Sequence, residues 1–586
     1  MDVKIEEVSF YEVSTLKSAY RKERMRLTSD EGAIWLGAKL HGELVGVCAY
    51  LPTRLGVMCK SDLVLEQYRG LGIYRKLFKE RMNRLKPLNP KKIYAYCTPN
   101  SVQMFFRNGF KEKRKIYSIT LVEMKYPFRN EKIEFYDFCK CINGKVVHGP
   151  KEMIIHQFSY YMKAINNPGT VLFLLGKSGE KLQSHKGNGN CAIVFQKGHV
   201  KEYLPDVTYI EVENVNNAYR EFINFYRNRF DIPVYAITGT CGKTTVKEMI
   251  AHILHEYSVV STMRSRNTPH SNLHYLTEIT EETDVAVYET PVNGPRLLEK
   301  TCDFFQPTIG IITNIGVDHL NLCGTVDNYI QAKGKMLKGL GHSGTLIINA
   351  DDENTKKISL DKFKGKVVTF GIDSPADYKA SHIKYEKDGM SFTLHLQHMK
   401  YDGFVPGYGV HEVYNALTAI AAAHQIGFGV REAIEQLRSF KNIEKHMETF
   451  VGYNEATIID DTWNSNPTSV EAAVKTFHEM GVGKKKICVI GSMSFLGEKE
   501  AKIHEYVGKS VANYPVDTFI AYGKYAYEIA KGAKDVDAVG NVIVCHSVDE
   551  LEEILLPQLN KETALLFKTS MKDRSLGPLL AKLRKR

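Results

Sequence analysis

Val234-Tyr235-Ala236-Ile237-Thr238-Gly239-Thr240-Cys241-Gly242-Lys243-Thr244-Thr245 is the stretch from which the rest of this chain is read. A short apolar strand runs into a glycine turn, and a helical pattern is expected from Val246 onward. Glycines let backbone N–H groups close around phosphate oxygens, and the dipole of the following helix adds positive potential at the same point. In such a loop Lys243 reaches the outer phosphates of a nucleotide, and the Thr244 hydroxyl is a ligand for Mg²⁺. The spacing is shorter than the general G-x-x-x-x-G-K-[ST] loop, because position 237 is Ile rather than Gly.

Outward from the loop, 586 residues are too many for one ordinary core, so three or four domains are expected. A first segment, 1–125, alternates strand-like runs (34–40, 44–51, 116–122) with helical stretches. A second, 126–229, carries turn signals at Asn167-Pro168-Gly169 and Gly187-Asn188-Gly189-Asn190, then an amphipathic helix over 216–229. The third, 230–441, contains the loop. The fourth, 442–586, repeats the α/β rhythm with strands at 457–460, 486–490, 518–522, 542–545 and 564–568. Strands interleaved with helices imply mainly parallel sheets covered on both faces.

Composition narrows the class. Apolar residues make up 43% and charged residues 25%, the balance of a soluble globular protein, and no apolar run approaches bilayer length. The N-terminus is acidic and mixed, unlike a secretory signal, so a cytoplasmic location without a membrane partner is expected. Eleven cysteines are scattered, and the Cys139/Cys141 pair is neither a zinc spacing nor a disulfide framework. The net charge of +11 is spread along the chain, which fits nucleotide phosphates and anionic substrates and does not outline a nucleic-acid groove.

The form G-T-x-G-K-T-T resembles the loop of the Mur ligases, the peptide-adding enzymes of cell-wall synthesis. The resemblance runs from about residue 160 to the C-terminus. It is nearest to the MurF type, which adds D-alanyl-D-alanine to a nucleotide-linked tripeptide. Several stretches follow in the family's order: Val285-Ala286-Val287-Tyr288-Glu289, Thr313-Asn314-Ile315-Gly316-Val317-Asp318-His319, Ala332-Lys333-Gly334-Lys335 and Asn349-Ala350-Asp351-Asp352. They continue with Gly409-Val410-His411-Glu412-Val413-Tyr414-Asn415, Asp460-Asp461-Thr462-Trp463-Asn464-Ser465-Asn466-Pro467-Thr468 and Gly491-Ser492-Met493-Ser494-Phe495-Leu496-Gly497-Glu498, with His504 downstream. The resemblance implies ATP and Mg²⁺ as cofactors and an acyl-phosphate route to an amide. It implies that Gly239, Thr240, Cys241, Gly242, Lys243, Thr244, Thr245, Asn415, His446 and Asp461 bind ATP. It also implies that Thr244, Glu289, His319 and a carbamylated Lys333 form the metal shell, with Lys243, Glu289, His319 and Lys333 as the catalytic set.

Residues 1–125 resemble the GNAT acyltransferase family. Gln67-Tyr68-Arg69-Gly70-Leu71-Gly72 is similar to that family's Q-x-x-G-x-G turn, and Asn100 to Phe110 is similar to its N…F-Y-x-x-G-F pattern. The resemblance implies that Gln67, Arg69, Gly70 and Gly72 hold acetyl-CoA or another acyl-CoA. Phe105 stands where many relatives carry a tyrosine acid, and Phe cannot donate a proton. The expected fold class is therefore multidomain α/β: a GNAT-like domain, a small mixed domain that shortens the MurF-like substrate domain, a central P-loop parallel-sheet ATPase domain, and a C-terminal Rossmann-like domain.

Departures bear on the substrate. Lys445-His446-Met447-Glu448 replaces the family's G-R-x-E, Glu289-Thr290-Pro291 replaces E-x-G, and D-G-H is missing after Gly176. The leading expectation is an ATP-dependent ligase joining a small-molecule carboxylic acid to an amino acid or small amine, coupled to N-acylation by the first domain. The alternatives are UDP-MurNAc-tripeptide D-alanyl-D-alanine ligation and, in a different class, a nucleotide-binding scaffold whose catalytic site has decayed.

Overall fold

The computed structural model describes residues 3–584 apart from 24, 26, 86, 89, 91, 108–109, 117–118, 126–132, 176–189, 201, 264–266, 268, 281, 293, 295–296, 481–482 and 537–539. The expected boundary at 125/126, the turn at 187–189, Gly176 and Gly109 fall outside the described residues or at their edge. The chain divides into two compact units, Met1–Glu131 and Lys132–Arg586.

The first unit is built on a seven-stranded sheet. Its spatial order is Val3–Glu7, Ile34–Leu40, Glu43–Thr53, Gly56–Val64, Lys92–Cys97, Ile119–Lys125 and Lys111–Ile116. Neighbours are antiparallel except Gly56–Val64 and Lys92–Cys97, which pair in parallel across the helix Ile73–Leu85. The expectation of mainly parallel sheets is thus corrected here: consecutive strands such as 34–40 and 43–53 are joined by two residues, too few for a crossover. The expected single strand at 116–122 is the hairpin of Lys111–Ile116 with Ile119–Lys125.

Three sheets make up the second unit. The smallest has the order Lys145–His148, Val207–Val212, Cys191–Gln196, Thr170–Phe173 and Gln157–Ser159, parallel except at its first strand. The helix Val215–Arg227 follows it, capped by the Asn214 side chain accepting from the Asn217 N–H. Phe222 and Tyr219 on that helix are buried with Phe138 of the helix Phe135–Cys141, with Phe158 and Phe173 of the small sheet and with Val234, Ala286 and Tyr288 of the next one. One core thereby spans both sheets.

The central sheet has nine strands, in the order Val259–Ser261, Val285–Glu289, Val234–Thr238, Ile309–Ile312, Thr345–Asn349, Lys366–Gly371, Tyr378–Glu386, Gly389–Leu396 and Met399–Pro406. The first seven run parallel and the last two close as antiparallel hairpins. Strands 234–238, 285–289 and 345–349 are buried at every residue, as sheets covered on both faces require. The loop at 239–242 leaves the third strand in this order, from the carboxyl end of Val234–Thr238, where parallel α/β sheets place their ligands. The third sheet, in the order Glu448–Val451, Thr457–Asp461, Thr563–Lys568, Lys485–Gly491, Thr518–Tyr522 and Asn541–Cys545, is parallel apart from its first strand.

Candidate functional site

The helix after the loop spans Lys243–Ile253, three residues earlier than the sequence pattern suggested. Gly242 is its cap, with a left-handed backbone (φ 80°) that a side chain rarely adopts. Lys243, Thr244 and Thr245 therefore form the first helical turn, where backbone N–H groups have no partner within the helix. Gly239 (φ 153°) is needed for space as well: a Cβ there would lie 1.8 Å from Thr313 Oγ1.

The loop is braced by the segment after the strand Ile309–Ile312. Thr240 N–H donates to the Asn314 carbonyl (2.9 Å), and Cys241 N–H donates to Asn314 Oδ1 (3.0 Å). Thr313 Oγ1 and Asn314 Nδ2 donate to the Cys241 carbonyl at 2.6 and 3.1 Å, and Gly316 N–H donates to Thr240 Oγ1 (2.8 Å). The Lys243 ammonium folds back onto the Gly239 and Thr240 carbonyls, each at 3.0 Å.

Four residues were expected to form a metal shell, and the cleft of about 490 Å³ over the loop is lined by all four. Two of them touch: Thr244 Oγ1 donates to Glu289 Oε2 at 2.9 Å, and Asn267 Nδ2 donates to Glu289 Oε1 at 2.8 Å. Glu289 is brought there because its strand pairs in parallel with the loop's own, Ile237 opposite Glu289. Lys333 is wholly buried on the helix Val326–Gly334, its Nζ 3.5 Å from Thr238 Oγ1 and 4.3 Å from the Tyr329 ring centroid. Burial, reinforced by Lys243, holds its pKa well below the ordinary lysine value, with Asp318 opposing the shift. The amine is thus pushed toward its neutral, nucleophilic form.

His319 has a left-handed backbone (φ 51°). Its Nδ1 is buried without a hydrogen-bond partner among the described residues, and its Nε2 lies 3.9 Å from Asp318 Oδ2. Burial lowers its pKa against the opposing effect of Asp318. No group of three or more His, Cys, Asp or Glu side chains among the described residues is already gathered as a metal cage. The oxygen donors Thr244 and Glu289 suit a hard cation that keeps other ligands from substrate and water.

The residues expected to contact adenosine lie across the cleft. Asn415 is buried on the helix Val410–Gln425 with Oδ1 directly over Gly242, and its Nδ2 donates to Glu412 Oε2 (3.3 Å). Burial raises the Glu412 pKa. His446 tilts against Trp463 at 5.9 Å between centroids. Asp461 is held by Lys568 Nζ at 2.8 Å, in a pair that is almost fully buried, and Lys568 also donates to the Asn464 carbonyl at 2.6 Å.

Several site residues had no assigned role in the sequence reading. Thr313 and Asn314 lay inside a quoted motif in which only the histidine was singled out, and Lys568 ended a strand quoted for its apolar pattern. The third sheet also roofs the cleft directly. Cys241 Sγ lies 3.6 Å from Asn466 Oδ1, a Cβ on Gly316 would lie 2.0 Å from Thr468 Oγ1, and the Phe495 ring sits 5.3 Å from that of His319.

In the first unit, Gln67 sits in the 3₁₀ turn Glu66–Tyr68, and Gly70 and Gly72 have left-handed backbones just before the helix Ile73–Leu85, with open space around each Cα. Arg69 pairs with Glu23 at 2.6 Å and donates from Nε to the Val64 carbonyl at 3.1 Å. Phe105 is a core residue, edge-on to Phe78 and Phe110 at 5.1 and 5.0 Å.

Residues 237–423 match the Mur ligase middle domain, and residues 447–571 match the Mur ligase, glutamate ligase domain. The UDP-N-acetylmuramoyl-tripeptide--D-alanyl-D-alanine ligase of Haemophilus influenzae is 28% identical over 421 residues, 70% of this chain and 89% of that one. The enzyme of the same name from Buchnera aphidicola is 29% identical over 344 residues, 58% of this chain and 74% of that one. Among solved structures, MurF from Acinetobacter baumannii superposes with a TM-score of 0.68 at 22% identity, covering 78% of this chain and 99% of that one. MurF from Thermotoga maritima, solved with ADP, gives 0.63 at 20% identity, covering 73% and 97%. The chain carries the middle and glutamate-ligase domains of the Mur ligases, in a multidomain α/β fold shared with MurF. Among the described residues no helix is long and apolar enough to cross a membrane.

Proposed function

We propose that this chain is an ATP-dependent ligase that joins the terminal carboxylate of a UDP-linked muropeptide to the amine of D-alanyl-D-alanine. The observation that carries the ligase reading is the meeting of Thr244 Oγ1 and Glu289 at the first turn of the loop helix, in one cleft with the buried amine of Lys333. The names of the relatives favour the muropeptide over the other acid–amine pairs that the sequence departures had ranked first.

A carboxylate is a poor electrophile, so the route runs through its phosphorylation by ATP and attack of the amine on the acyl phosphate, with phosphate leaving. The N–H groups of the loop grip the phosphates, and the Lys243 ammonium exchanges its two loop carbonyls for phosphate oxygens as charge moves. Mg²⁺, when bound, supplies further neutralisation of the transferring phosphoryl group. Thr244 and Glu289 would hold one such ion. His319, through its unpartnered Nδ1, and Lys333 would serve a second. Lys333 can do so only after its neutral amine adds to CO₂, forming an N–C bond and releasing a proton to leave an anionic carbamate. Asn415, His446 and Asp461 are assigned to the nucleoside side of the cleft.

The test is incubation with ATP, Mg²⁺, UDP-linked tripeptide and D-alanyl-D-alanine, following phosphate release and the mass of the condensed product. Turnover that disappears in Lys243→Ala is the expected result. Unchanged turnover in that variant overturns the mechanism. Turnover only with a different acid and amine overturns the substrate.

For the first unit we infer an acyl-CoA-binding role. The support is the pair of left-handed glycines, 70 and 72, opening the helix that crosses between the parallel strands. Gln67 and the loop N–H groups would face a pyrophosphate, while Arg69 must first leave Glu23. Calorimetry with acetyl-CoA, comparing the native chain with Gly72→Val, checks it; no heat from either removes this role.

A further inference from the structure

Between the strand Lys485–Gly491 and the helix Glu500–Val511 runs a loop that reaches from the third sheet to the catalytic cleft. Its inner end is fixed by His504, which is wholly buried and does not line the cleft. His504 Nε2 accepts the Met493 N–H at 2.8 Å, and its Nδ1 lies 2.7 Å from the Glu500 carbonyl. Since a carbonyl can only accept, Nδ1 carries the proton and Nε2 is bare. One neutral tautomer satisfies both bonds. The ring is stacked on Tyr525 at 4.2 Å, and Tyr525 donates from its hydroxyl to Glu500 Oε2 at 2.6 Å and from its N–H to Ser492 Oγ at 3.0 Å. The charged groups facing the imidazole are Glu500, Glu528 and Lys524.

Two residues beyond Met493, Phe495 adopts a left-handed backbone (φ 67°), a strained choice for an aromatic residue. That conformation delivers its ring to the His319 ring at 5.3 Å and under the Lys572 ammonium, 3.6 Å from the ring centroid. It also turns its carbonyl toward the Asn321 N–H at 3.5 Å. His319 and Asn321 belong to the central part of the unit, while Met493, Phe495 and Lys572 belong to the roof.

We propose that His504 is a positioning residue: by holding Met493 it sets Phe495 as a latch on His319, and this latch keeps the roof closed on the nucleotide. Phe495 touches the site; His504 acts on it only through the backbone of 493–495. The consequence for catalysis rests on the ligase reading above, but the latch itself governs nucleotide binding and is tested without any acceptor substrate.

Trp463 lines the cleft, and the chain has one other tryptophan, Trp35 in the first unit. In a Trp35→Phe background, Trp463 fluorescence titrated with ADP and Mg²⁺ reads closure. His504→Leu fills the space but leaves the Met493 N–H unpaired. It should weaken ADP about tenfold, as should Phe495→Leu, and the double variant should lose no more than about tenfold, because contacts in one chain of interactions are not additive. His504→Gln, whose amide presents both an acceptor and a donor, should stay within about threefold of the parent. Thermal melts establish that each variant is folded. If the two leucine effects multiply, or if Gln is as damaging as Leu in folded protein, His504 is only a core residue and the latch is refuted. Failure of the muropeptide assay would leave these titrations unchanged.

Discussion

Replacing Gly316 with alanine adds one methyl group at the seam between the phosphate loop's brace and the roof. The backbone there is not left-handed, so alanine meets no conformational penalty of its own, and the effect is one of contact alone. The new Cβ would lie 2.0 Å from Thr468 Oγ1 and 2.9 Å from Thr468 Cβ, where ordinary packing needs about 3.5 Å or more. The roof must retreat by about 1 Å or Thr468 must leave its place at the start of the helix Pro467–Met480. Overpacking of this kind costs about 1–3 kcal/mol, so the closed-to-open ratio falls roughly 5- to 150-fold. Because a displacement of about 1 Å at a reacting centre can cost on the order of 100-fold, the loss should appear mainly in kcat. The assay is phosphate release under the conditions that give turnover with the native chain, with a thermal melt to show that folding is intact. Thr468→Gly in the Gly316→Ala background removes both close atoms, with Cγ2 at 3.3 Å besides, and should restore most of the rate. Full activity in Gly316→Ala, or no recovery in the double variant, refutes the conclusion that this seam must close for catalysis.

Lys243→Ala should lower turnover by about 100- to 1000-fold, the scale set by removing one charge-stabilising donor, with the melting temperature little changed. Lys333→Arg keeps a cation but cannot form a carbamate; turnover should be lost, and in the native chain it should rise with added bicarbonate at low CO₂, read by phosphate release. Lys568→Met leaves Asp461 buried without its partner and should cost about 3–5 kcal/mol in urea unfolding, while Lys568→Met with Asp461→Leu should regain most of it. Burial lowers the pKa of His504 below its unfolded value of about 6.5, so the stability it contributes is present above that pH and lost as pH falls toward the folded value. Melting temperature should therefore decline below about pH 6.5, and His504→Gln should flatten that decline; an unaltered profile counts against it.

How far the sequence could be read depended on the range of the interactions involved. The loop was legible because strand, glycine turn and helix are consecutive in the chain, and so was the strand ending in Glu289, whose partner Ile237 is fixed by a parallel register. The start of the loop helix was misplaced by three residues because Gly242 caps it through backbone conformation, which no periodicity records. In the first unit, the strand-like runs at 34–40 and 44–51 marked strands correctly but carried no information on direction, and the short link at 41–42 made them antiparallel. Lys333 was legible as a motif position only; that it is buried beside Tyr329, and that this burial, reinforced by Lys243, lowers its pKa, is a property of packing. Lys568 was invisible as a site residue because its partner Asp461 is more than a hundred positions away on a neighbouring strand.

The same distinction separates the two halves of the cleft. The residues proposed to grip phosphate form one continuous stretch, 239–245, with a brace at 313–316, all within the central part. The other half is supplied by loops at 461–469, 493–497 and 568–572, each following a strand of the third sheet. Among the described residues their contacts to the central part include Asn466 with Cys241, Thr468 with Gly316, and Phe495 with His319 and Asn321. None is a broad apolar core, so opening of the roof would expose little hydrophobic surface, as product release in the proposed ligase cycle requires. Seam contacts of this kind then bear on the balance between open and closed. Changes at Gly316 and Phe495 should consequently act on turnover far more than on the unfolding of either half.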